Sequence, residues 1–113
     1  MTDGYYVVAA TSELPEGGQL YLELDGEEIL LVRHQDQVHA VAFLCSHAEF
    51  SLEGGQLRDG CITCPYHGAE FSLHSGAALS PPAYEPIKTY PVRIDSGNQT
   101  ISVCATPNPV LPS

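Results

Sequence analysis

Two mixed pairs of metal-binding side chains, Cys45-Ser46-His47 and Cys64-Pro65-Tyr66-His67, constrain this chain more than any other feature. Sixteen residues separate them, and each pair closes a short chelate. Together they offer two thiolates and two imidazoles. Such a donor set suits a tetrahedral zinc ion, or a two-iron cluster in which imidazoles replace thiolates on one iron. Zinc fingers usually pair Cys with Cys and His with His. Here each half contributes one of each, which favours the cluster. Coincidence accounts poorly for two such pairs, the second followed directly by Gly68-Ala69-Glu70-Phe71.

The rest of the chain reads as short strands punctuated by turns. Residues 5–9 form a β-branched and aromatic run, and 12–18 form a loop. Residues 19–24 alternate apolar and polar, Asp25-Gly26 is a hairpin turn signal, and 28–33 return. Gln35-Asp36-Gln37 turns into a strand at 38–43. The segment 44–71 carries both ligand pairs, with Gly54-Gly55 and Asp59-Gly60 as turn signals. Residues 87–94 and 100–104 predict a last hairpin across Asp95-Ser96-Gly97-Asn98. Ten glycines and nine prolines interrupt the sequence, and no long segment holds a 3.6-residue period. The expected fold is all-β: an antiparallel β-sandwich or partly open barrel with a single helical turn. At 113 residues it is one domain, placed at 1–104, followed by an extended or frayed Pro-rich tail at 105–113.

The pattern C-x-H…C-x-x-H, with Pro65 and Gly68 around its second half, resembles the Rieske iron–sulfur proteins. The resemblance is specific from residue 45 to about 92 and general in the flanking strands. It implies a base of antiparallel sheets with a small inserted cluster-binding subdomain, here about 44–72. Two loops, 45–57 and 61–71, would hold one [2Fe–2S] cluster. By the same resemblance Cys45 and Cys64 bind the inner iron, and His47 and His67 bind the outer one. Neutral imidazoles leave less negative charge around the outer iron, so the added electron settles there, near the surface. Ser80-Pro81-Pro82 resembles the proline loop that covers the third side of the cluster. Gly68 either lets the backbone pass close to the cluster or is an ordinary turn glycine.

Within that family, the residues that are missing narrow the choice. High-potential members in cytochrome bc complexes join their two loops by a disulfide, and Phe50 and Tyr66 stand at those cysteine positions. The same members place Ser and Tyr hydroxyls against cluster and cysteine sulfurs, and here those positions are Ala69 and Phe71. A reduction potential at the low end of the Rieske range, on the order of −150 mV, is expected. The stretch 80–92 resembles the soluble ferredoxins of bacterial aromatic ring-hydroxylating dioxygenase systems. Such a ferredoxin is not itself an enzyme. It takes electrons from an NAD(P)H-dependent ferredoxin reductase and passes them singly to a terminal oxygenase. A small Rieske subunit of an assimilatory nitrite reductase and a zinc-stabilised interaction domain are the alternatives.

The formal charge is −10, from 14 acids against 4 bases, which argues against nucleic acid and anionic membranes as partners. The acidic surface is either plain solvation or a means of steering toward basic docking sites on redox partners. The sequence has no long apolar run and no visible signal peptide, so a soluble cytoplasmic monomer with thiolates rather than disulfides is expected. Cys61-Ile62-Thr63-Cys64 spells C-x-x-C, but Cys64 is already claimed as a ligand and no βαβ pattern surrounds it. Cys61 and Cys104 are read as small buried strand residues, and His34, His39 and His74 as surface or packing residues. Phe50, Tyr66 and Pro82 form either a docking face or the packing between loops. Glu49, Glu53, Asp59, Glu70 and Glu85 are candidates for an acidic rim.

Overall fold

The computed structural model describes residues 4–45, 50–66, 68–80 and 85–108. Among the described residues, ten short strands build three antiparallel sheets that stack without closing into a barrel. The first sheet has the order β1 (Tyr5–Ala10), β10 (Thr100–Cys104), β9 (Val92–Asp95). The second has the order β2 (Gln19–Leu24), β3 (Glu27–His34), β4 (Gln37–Ala42), β8 (Thr89–Tyr90). The third and smallest has the order β5 (Gln56–Arg58), β6 (Cys61–Thr63), β7 (Glu70–Ser72). A single 3-10 turn at Thr11–Glu13 is the helical element among the described residues, and none of these residues forms a helix long and apolar enough to cross a membrane.

Turn chemistry sets the registers. Asp25 and Gly26 join β2 to β3 with φ of 51° and 81°, and Asp59 and Gly60 join β5 to β6 with 51° and 78°. These left-handed pairs give the hairpin twist that two-residue loops require. Gln35 and Asp36 make the same turn between β3 and β4 with φ of 53° and 63°, although Gln is a poor residue for it. The Glu16 carboxylate offsets that cost by accepting both backbone N–H groups, at 2.7 and 2.9 Å.

The central strand β3 is buried on both faces, so it reads as a continuous apolar run, Ile29-Leu30-Leu31-Val32, with every member fully buried. Ile29 and Leu31 point into a core shared with the first sheet, against Ala9, Ile101 and Val103. Leu30 and Val32 point the other way, into a core with Leu52, Ile62, Phe71, Leu73 and the two cysteines Cys45 and Cys64. One strand therefore ties the first sheet to the small sheet beside both cysteines.

Two expectations change. Residues 87–94 do not form one strand. Pro91 has no N–H to continue a ladder, and the chain switches sheets there, with β8 pairing to β4 and β9 to β10. The Pro91 carbonyl accepts the Cys104 N–H at 3.1 Å, which fixes the corner. Cys61 and Cys104 lie on strands as expected but are partly exposed rather than buried, because each stands at a strand end, Cys61 opening β6 and Cys104 closing β10. Asn108 is tied to β8: its N–H donates to the Thr89 carbonyl at 2.7 Å and its side-chain amide reaches Thr89 Oγ1 at 3.1 Å.

Candidate metal centre

The first ligand loop grows out of β4. Phe43 N–H donates to Glu28 O (3.1 Å), Leu52 N–H to Phe43 O (2.8 Å), and Leu44 forms a bridge with Ser51. Cys45 N–H then donates to Phe50 O at 2.8 Å and closes the loop over residues 46–49. The Phe43 ring meets Tyr21 edge-on, with centroids 4.5 Å apart, and props the loop base against β2.

The second loop connects β6 to β7 and closes in the same way. Cys64 N–H donates to Ala69 O at 2.7 Å, and Gly68 N–H returns to Cys64 O at 3.0 Å. In both loops the cysteine N–H bonds the carbonyl five positions later, 45 to 50 and 64 to 69, so each cysteine occupies the same place at the base of its loop. Gly68 has a φ of 76°, a conformation that L side chains rarely adopt, and its turn role alone requires glycine. A side chain at Gly55 would run into the Thr63 and Leu52 carbonyls, so close backbone packing there joins the first loop to β6, one residue before Cys64.

The structure brings Cys45 and Cys64 into one core, 4% and 1% exposed, and neither forms a disulfide. Soft sulfur donors in a dry, apolar surround suit a thiolate-bound iron–sulfur centre. His47 and His67 lie outside the described residues, as do Glu49, Pro81 and Pro82. Phe50 and Tyr66, one from each loop, stack with centroids 4.8 Å apart and planes inclined by 30°. They are also 43% and 61% exposed, so these two rings both pack the loops together and face solvent. Ser80, which opens the proline segment, accepts the Glu70 N–H on Oγ at 3.1 Å, and Leu79 N–H donates to Glu70 O at 2.8 Å. Ser80 is thereby anchored to the strand that leaves the second loop.

The other candidates separate by environment. Burial pushes the Cys61 thiol up from its ordinary value, and Glu70 and Asp59 push it further, which opposes the thiolate a dithiol redox motif needs. His34 accepts the Gly60 N–H on Nε2 at 3.0 Å, and His39 is half-buried. His74 is exposed. Sequence reasoning passed over Gln19. Its amide accepts the Gly54 N–H at 2.7 Å and donates to the Gly55 carbonyl at 2.9 Å. Its polar position at the start of an alternating strand is indistinguishable in the sequence from a solvated one.

Residues 4–91 match the family model described as Rieske [2Fe-2S] domain. The 3-phenylpropionate/cinnamic acid dioxygenase ferredoxin subunit of Photorhabdus laumondii subsp. laumondii is 40% identical over 97 residues, spanning 85% of this chain and 91% of that protein. Among solved structures, the ferredoxin of carbazole 1,9a-dioxygenase from Nocardioides aromaticivorans IC177 superposes with a TM-score of 0.83 at 33% identity, covering 90% of this chain and 98% of that one. A chain from a complex of reduced oxygenase and oxidized ferredoxin in carbazole 1,9a-dioxygenase superposes with a TM-score of 0.84 at 26% identity, covering 95% and 98%.

Proposed function

As this chain belongs to the Rieske [2Fe–2S] domain family, we propose that it is the ferredoxin component of an aromatic ring-hydroxylating dioxygenase system. It carries single electrons from an NAD(P)H-dependent reductase to a terminal oxygenase and turns over no substrate of its own. Cys45 and Cys64 would hold the inner iron of one [2Fe–2S] cluster, and His47 and His67 the outer iron. When bound, the cluster supplies a one-electron couple.

The observation that carries this reading is the matched closure of the two loops, which sets two buried cysteines in one core beneath an exposed aromatic stack. The chain's own residues do the remaining work. Leu52, Ile62, Ala69 and Phe71 exclude water from the sulfurs. Phe50 and Tyr66 present a stacked, solvent-facing apolar patch, the kind of surface a transient redox encounter uses. Neither Ala69 nor Phe71 has a hydroxyl to stabilise the reduced, more negative state, which supports a low potential. The oxygenase as partner is supported by the ferredoxin–oxygenase complex of carbazole 1,9a-dioxygenase among the structural neighbours.

The test is the EPR spectrum of the dithionite-reduced protein with its iron and zinc content. A Rieske-type signal with about two irons per chain is expected. One zinc with no signal would make this a structural domain. Turnover of a ring-hydroxylating oxygenase and its reductase with this protein as the only mediator then tests the partners.

A further inference from the structure

The face of the second sheet that covers the cysteine-bearing core ends in polar side chains. Strand pairing sets Gln19 opposite Val32 on one side and His39 opposite Val32 on the other. Val32 packs into that core, so Gln19 and His39 share its face, as does His34 two residues further along β3. Each meets a different part of the cysteine-bearing subdomain. Gln19 makes two hydrogen bonds to the Gly54-Gly55 turn, at 2.7 and 2.9 Å. His34 accepts the N–H of Gly60, in the β5–β6 turn, at 3.0 Å. His39 lines the same groove as Leu73, just beyond β7.

We propose that Gln19 and His34 are positioning residues: a polar seam that fixes the cysteine-bearing subdomain on the base sheet. The proposal deepens the ligand assignment above and rests on it. Two features give the seam leverage. Gly55 is wedged against the Leu52 and Thr63 carbonyls, so holding its turn holds both loops, because Thr63 precedes Cys64 and Leu52 belongs to the first loop. Gly60 also accepts the Leu73 N–H at 2.9 Å, so its turn is held from the base by His34 and from within the subdomain by Leu73. Hydrogen bonds outside a ligand set orient the ligands and tune the metal centre they hold. An electron carrier gains from such a frame because a fixed ligand set rearranges little when the electron arrives.

The experiment compares Gln19→Ala, His34→Leu and His34→Gln with wild type, each as purified. Hydrogen–deuterium exchange is read for peptides covering 52–64 and 93–104, alongside EPR line shape and reduction potential. Gln19→Ala and His34→Leu are expected to speed exchange across 52–64 about fivefold, the loss of roughly one net hydrogen bond, with 93–104 unchanged. Their EPR features broaden and their potentials shift. His34→Gln, whose carbonyl replaces the ring acceptor, restores the wild-type pattern. Wild-type exchange in both disruptive variants, an equal rise in both peptides, or no rescue by His34→Gln would overturn the proposal. The local exchange pattern in a protein that binds no two-iron centre would keep the seam and remove the ligand assignment.

Discussion

Ala69 and Phe71 are fully buried in the core that holds Cys45 and Cys64, and neither offers a hydroxyl to a sulfur. Placing one there is the most direct way to move the potential. Ala69→Ser is expected to raise the midpoint on the order of 50 mV, the electrical equivalent of one modest hydrogen bond to the reduced centre. Redox titration measures it, and an unshifted midpoint with the hydroxyl on sulfur would refute the tuning argument. The two cysteines of C-x-x-C differ just as sharply. Cys64 is 1% exposed at a loop base, while Cys61 is partly exposed with a thiol raised chiefly by burial. Cys61→Ser should keep its iron and Cys64→Ser should lose it, as iron analysis will show. His39 gives a pH prediction. Burial, reinforced by His34 and His74, lowers its folded value below the ordinary value of about 6.5, although the Leu73 backbone works the other way. Its neutral form is favoured in the fold, so its contribution is fully present above about pH 6.5 and is lost as pH falls through the lower folded value. Thermal melting from about pH 7.5 to about pH 5.5 should fall further in wild type than in His39→Gln, and equal falls would show that other groups carry the acid response.

At the scale of elements, Gly55 is the point where two loops depend on one residue. A methyl group there meets the Thr63 and Leu52 carbonyls, backbone atoms that move only if a loop moves. Gly55→Ala is expected to cost about 1–3 kcal/mol and to lower cluster content, since overpacking forces the cysteine-bearing segments apart. Thermal melting and iron per chain check it, and full loading at wild-type stability would show that the loops are not coupled through this turn. Longer elements were legible from residue pattern alone. The alternation at 19–24, the Asp25-Gly26 turn and the apolar run of β3 each follow one local rule, and the cysteines of the two Cys/His pairs marked two residues that share one core. What escaped was set by distant partners. Strands β5, β6 and β7 have three residues each and β8 has two, too short for any period to register. The sheet switch at Pro91 depends on β10 accepting β9 while β4 accepts β8. Gln19 and His34 look like ordinary strand-end polar residues until the turns they hold are folded against them.

Over the whole molecule, charge is unevenly compensated. Only four bases oppose fourteen acids, and three of the four are engaged within the fold. Arg33 pairs with Asp36 at 3.5 Å, Lys88 with Glu27 at 3.4 Å, and Arg93 lies over the Tyr5 ring at 3.9 Å. Glu53 and Asp59, on turns of the cysteine-bearing subdomain, are exposed. A surface of this sign attracts a basic docking site before contact and speeds encounter rather than tightening the final complex. The molecule is 41 Å along its longest axis, several times the screening length of about 10 Å at 0.1 M salt. At that ionic strength only acids near the docking end still act on the partner, whereas at about 0.01 M the whole charge acts. The rate of electron delivery to a terminal oxygenase should therefore fall about tenfold or more as salt rises from about 0.01 to about 0.5 M. Glu53→Gln combined with Asp59→Asn should flatten the upper part of that curve and leave the low-salt rise largely intact. Stopped-flow reduction of the oxygenase across a salt series separates the cases. A rate that stays flat or climbs with salt would mean that the apolar Phe50–Tyr66 patch, rather than the acidic field, governs encounter.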